Sequence, residues 1–106
     1  MKPTEPLSFN ITLTIKSECI DEYLQALAEV LPAARAEKTC VYLNVGQSVD
    51  DPRVFVLSEH WQDRDDFINR VLATPHYQKY TAISQGLYAE PRRVVQLRTP
   101  SGVEGG

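Results

Sequence analysis

Long apolar runs are absent from this chain of 106 residues. No stretch approaches the roughly 18 residues that a membrane-spanning helix needs, so no membrane partner is expected. The first ten residues, MKPTEPLSFN, carry two prolines and an acid where a signal peptide would hold its apolar segment. Cysteine is scarce. Cys19 and Cys40 are too few for a disulfide framework, and a reducing compartment keeps such residues as thiols. Basic excess is missing too: 11 Lys and Arg stand against 14 Asp and Glu, for a net charge of −3. Nothing there neutralises a phosphate backbone, so nucleic acid is not an expected partner. These absences together point to a cytoplasmic protein.

Several kinds of chemistry lack their motifs. His60 and His76 are the two histidines, and no HxH, HxxxH or CxxC spacing occurs, so no metal centre is expected. No GxGxxG, Walker loop or GxSxG occurs either. The expectation is a protein without flavin, nicotinamide or metal cofactor.

What the chain does contain is ordinary globular composition, 42% apolar and 24% charged. Its length suits one domain, with a core over about 7–98, an arm at 1–6 and a flexible tail at 99–106. Residues 7–15, LSFNITLTI, alternate strictly and predict a half-buried strand. Ser17 is placed to cap a helix whose apolar stripe is Ile20, Tyr23, Leu24, Leu27, Val30 and Leu31. Pro32 should end or kink that helix, with 33–37 as a further turn. Residues 39–45 and 53–61 read as two strands of a hairpin. Asp63 caps a next helix, Thr74-Pro75 opens another, and Gly86 stops it. Residues 87–98 read as a final strand with Pro91 at its start or on an edge. The order β-α-β-β-α-β predicts an α+β, ferredoxin-like protomer with a four-stranded antiparallel sheet and helices on one face. Ser8, Asn10, Thr12 and Thr14 form an uncharged second face suited to the sheet of another protomer.

Candidate functional residues concentrate in SEHWQDRDDF and TPHYQKY. Strand alternation puts Glu59 and Trp61 on one side and Ser58 and His60 on the other. Glu59 and Trp61 are suited to line a pocket between sheet and helices, or to anchor the helix packing. His76 follows Pro75 in a first helical turn, where the positive dipole end favours neutral imidazole, a possible acid or base. Tyr77 and Tyr80 are three apart and share a helical face.

E-x-W-x-D over 59–63, T-P-H-Y over 74–77 and the terminal PRRVVQLRTP together resemble the antibiotic biosynthesis monooxygenase domain of the dimeric α/β-barrel superfamily. ARAEKTCVYLNV is similar to that family's R-x-E-x-G-C stretch, with Thr39 where glycine is usual. The resemblance implies a dimeric α/β barrel, a homodimer whose sheets meet face to face, with a pocket between sheet and helices. It also implies oxidation by O2 of a small phenolic or quinol-type aromatic molecule without a cofactor. On that reading His76 or Glu59 is the base, Arg70 stabilises the anion, and Trp61, Tyr77 and Tyr80 hold the ring. The positions used by haem-degrading members fall near Ile11, Arg70 and Tyr80, which argues against a haem role. An isomerase or lyase acting on a small carbonyl compound, and a stress-associated binding dimer without catalysis, are the alternatives.

Overall fold

The computed structural model describes residues 5–103; residues 1–4 of the expected arm and 104–106 of the expected tail lie outside the described residues. Strand β1, Leu7–Thr14, is followed by a 3-10 turn at Ser17–Cys19 and helix α1, Ile20–Arg35. Strands β2, Cys40–Gln47, and β3, Val54–Trp61, come next. Helix α2 is Arg64–Asn69, a 3-10 turn covers Val71–Ala73, helix α3 is Pro75–Ser84, and β4 is Arg93–Leu97. The sheet order is β2-β3-β1-β4, antiparallel throughout. This is the expected ferredoxin-like α+β arrangement.

Strand β1 is central because its alternation serves two neighbours at once. Ile11 pairs with Leu57 of β3 on one side and with Val94 of β4 on the other. Its Leu7, Phe9, Ile11 and Leu13 are buried while the residues between them are half-buried. The apolar set is the floor on which Tyr23, Leu27 and Val30 of α1 and Phe67 of α2 pack. Asp63 caps α2 as expected, its carboxylate accepting from the Asp66 backbone N–H at 3.1 Å.

Three local expectations are corrected. Ser17 does not cap α1; its hydroxyl donates to the Glu18 carboxylate at 3.3 Å, and the helix begins after the 3-10 turn. Pro32 lies inside α1, and the further turn expected after it forms as far as Arg35. An internal proline forfeits one backbone bond. Ala34, fully buried, and Arg35, whose guanidinium donates twice to the Leu43 carbonyl at 3.0 and 2.9 Å, hold the last turn onto the sheet regardless. The hairpin strand β2 extends to Gln47, two residues beyond its expected end, with a bulge between Cys40 and Tyr42. The final strand is shorter than 87–98. Tyr88 forms an isolated bridge with Ile15, and regular pairing starts only at Arg93, after Pro91, which lacks the donor a ladder needs.

Leu13→Ala, at a fully enclosed position of the floor, should lower unfolding free energy by about 2–5 kcal/mol. Val49→Ala, at an exposed turn, should change it by less than about 0.5 kcal/mol. Urea titration of the two variants checks both values.

Candidate functional site

Glu59 sits in the middle of the sheet on the helix-facing side, opposite Phe9 of β1 and Leu43 of β2. Its same-face neighbours along β3 are Leu57 and Trp61. A carboxyl group ringed by apolar side chains loses its hydration, and Glu59 is only 5% exposed. That burial raises its pKa from 4.5 to about 7. Two groups oppose the rise: the Trp61 indole N–H, which donates to Oε1 at 3.1 Å, and the more distant Arg92 charge. Glu59 therefore titrates well above the ordinary carboxylate range, towards neutral pH.

Above Glu59 lies a cavity of about 630 Å³ between the sheet and the helices. Its floor is the β1 set of Leu7, Phe9, Ile11 and Leu13, and its roof includes Leu27, Val30 and Leu31 of α1. Helix α3 contributes Tyr77 and Tyr80 from one face. Tyr80 shares a 2.7 Å hydroxyl–hydroxyl hydrogen bond with Tyr23 of α1. Burial pushes the Tyr80 phenol up to about 12, and pushes Tyr77 and Tyr23 up as well. All three stay protonated at neutral pH and present O–H groups. Along the open side of the cavity run Arg92, Val94 and Gln96, which are exposed.

The structure brings together three of the six residues singled out from sequence: Glu59, Tyr77 and Tyr80 line the cavity. Trp61 is fully buried, its ring tilted against Phe67 at 4.6 Å between ring centres, and reaches the cavity only through its bond to Glu59. Arg70 lies elsewhere. At the end of α2 its guanidinium pairs with Asp66 at 2.7 Å and Glu37 at 3.0 Å, a side chain half-exposed to solvent. His76 is also outside the cavity. Its Nε2 meets the Thr74 hydroxyl at 3.1 Å, and its ring borders a separate depression between α1 and α3 with Glu29 and Lys79. Pro75 fixes the helix start, and the second helical position then faces α1 rather than the sheet. His60 lies on the opposite, uncovered face of the sheet, in contact with Ser8 and stacked on Tyr42. Among the described residues no group of three His, Cys, Asp or Glu side chains is arranged to hold a metal ion.

Sequence reading missed Arg92, which lines the cavity, and the Tyr23 hydroxyl that holds Tyr80 from behind. Tyr23 read as one more member of an apolar stripe, and its hydroxyl gave no signal. Arg92 alternates with Val94 and Gln96, a pattern that does place it on the helix-facing side once the register of β4 is known.

A ferredoxin-like sheet with helices on one face, and between them a cavity with a buried carboxyl and phenols, defines a small α+β protein with an internal pocket. The family model described as antibiotic biosynthesis monooxygenase matches residues 6–82. This chain belongs to that family. It is 28% identical over 94 residues to a candidate monooxygenase of the fungus Pestalotiopsis microspora, covering 88% of this chain and 78% of the relative. A candidate antibiotic biosynthesis monooxygenase from Nitrosomonas europaea superposes with a TM-score of 0.81 at 21% identity, covering 98% of this chain and 99% of that one. Rv0793 from Mycobacterium tuberculosis also gives 0.81 at 21% identity, over 94% of this chain and 100% of that one. These two structures share the fold.

The pKa of Glu59 has a consequence for stability. Between pH 4.5 and about 7 the folded chain keeps a proton that the unfolded chain releases. Stability from this group is full below the lower value and is lost as pH rises through the upper one. Glu59→Gln carries no such proton. Its stability relative to the parent should improve by about 3 kcal/mol between pH 4 and pH 8, read from urea midpoints. Trp61→Phe removes the indole donor, so the Glu59 carboxyl should titrate above about 7, observed by carbon-detected NMR of the side chain.

Proposed function

We propose that this cavity binds an electron-rich phenol or dihydroxyarene and that the protein oxidises it with O2, with Glu59 taking the phenolic proton. The observation that carries this reading is the buried Glu59, with a pKa near neutrality, on the wall of a cavity furnished with tyrosine hydroxyls. Family membership supports a monooxygenase-like activity. Deprotonation turns the substrate into a phenolate, which gives up electrons to O2 far more readily than the neutral phenol. One dihydroxyarene and one O2 then yield one hydroxyquinone and one water. Both electron pairs that reduce O2 come from the substrate. Tyr77 and Tyr80, still protonated, donate hydrogen bonds to oxygen atoms on the ring. Trp61 orients and tunes Glu59 through its N–H. Arg70 and His76, occupied with Asp66, Glu37 and Thr74, act in local structure rather than at the ring.

The same reading includes a symmetric homodimer. The uncovered face presents Ser8, Asn10, Thr12 and Thr14 beside Val56, Val95 and Leu97, which are exposed. Arg93 is the one Lys or Arg on that face among the described strand residues. A largely neutral, partly apolar sheet face is well suited to a second copy of itself.

Oxygen-electrode assays with 1,4-dihydroxynaphthalene should show enzyme-dependent O2 uptake. Glu59→Gln should cut turnover by roughly 10²–10⁴-fold, and His76→Ala should leave it within about twofold. Unchanged turnover in Glu59→Gln removes Glu59 as the base. No uptake by the parent, with ligand-dependent thermal stabilisation, favours binding without oxidation; conversion of a carbonyl substrate without O2 favours isomerase or lyase chemistry.

A further inference from the structure

We propose that the cavity selects aromatic ligands bearing a carboxylate or another anionic group, and that Arg92 is the residue that confers this selectivity. The inference rests on the cavity being the substrate site and adds the substrate's charge. Among the cavity-lining residues Glu59 and Arg92 are the charged ones. They occupy opposite situations: Glu59 is enclosed at the sheet centre, and Arg92 stands exposed on the open side. Arg92 lines the cavity one residue before β4, on the side that Val94 and Gln96 occupy within the strand. Val94 lies opposite Ile11 and Gln96 opposite Phe9, both on the helix-facing side, and Arg92 is two residues before Val94.

Arg35, Arg53 and Arg70 are engaged elsewhere, and Arg93 lies on the opposite face of the sheet. Arg35 donates to the Leu43 carbonyl, Arg53 pairs with Asp51, and Arg70 pairs with Asp66 and Glu37. Arg92 forms no ion pair with a described carboxylate. Its charge nonetheless reaches into the cavity, where it favours the ionised forms of both Glu59 and Tyr80. A planar guanidinium at the mouth of an apolar slot is built for a carboxylate, which it grips through two parallel hydrogen bonds. A ligand so held lays its ring across Phe9, Ile11 and Val94 and points its far edge at Glu59.

The test uses 2-naphthoate and 2-naphthamide, of equal shape and different charge, titrated calorimetrically at pH 6 into the parent, Arg92→Gln and Arg92→Lys. The parent should bind the acid about tenfold or more tighter than the amide. Arg92→Gln should abolish the difference with an unchanged melting temperature, and Arg92→Lys should keep part of it. Equal affinities in the parent, a preference retained in Arg92→Gln, or no binding of either probe overturns the proposal. Because binding is read without turnover, acid selectivity in a protein that consumes no O2 overturns only the oxidation. O2 consumption indifferent to a substrate carboxylate and to Arg92 overturns only the selectivity.

Discussion

The two-sided pairing of β1 is the constraint on which the molecule depends. One strand supplies backbone partners to β3 and β4 while its Leu7, Phe9, Ile11 and Leu13 form the floor beneath the helices. A one-residue slip in either ladder would turn that floor to the uncovered face and bring Ser8, Asn10, Thr12 and Thr14 under the helices. The register also decides that Glu59 lies opposite Phe9, and hence that a carboxyl is enclosed by hydrocarbon.

Burying Glu59 costs stability above neutral pH, and its carboxyl is the acceptor of the buried Trp61 N–H. A leucine there would match the floor but leave the buried Trp61 N–H without its acceptor. A carboxyl held at an energetic loss and tuned by an adjacent indole is the kind of group that proton-transfer sites use, and structural ion-pair networks use it too. Trp61 serves two ends at once. Its ring fills the space beside Phe67, and its N–H keeps the carboxyl from being stranded without a partner. The same economy holds for Tyr80, whose ring packs near Tyr23 while the two hydroxyls satisfy each other.

The cavity exists because the helices do not cover the whole sheet. Strand β4 stays exposed along its length, so its helix-facing residues border an opening rather than a core. That leaves one apolar residue, Val94, between two polar ones, Arg92 and Gln96, at the entrance. An enclosed acid and an open base thus bracket an apolar slot, an arrangement with a direction built into it.

The sequence by itself determined the element order, the buried face of β1, the hairpin, the Asp63 cap and the Pro75 start of α3. Each rests on a local period or a local hydrogen bond, which a neighbouring side chain seldom overrides. It also placed Glu59 and Trp61 on the same face, since strand alternation is local. Tertiary structure decided the rest. Pro32 stays inside α1 because Ala34 and Arg35 are held by the sheet. Arg70 and His76 leave the cavity because carboxylates of α2 and the β2 approach, and the Thr74 hydroxyl, engage them first. Arg92 enters because β4 is in register with β1. Desolvation and cavity walls are set by residues distant in the chain, and no period in the sequence reports which of them will meet.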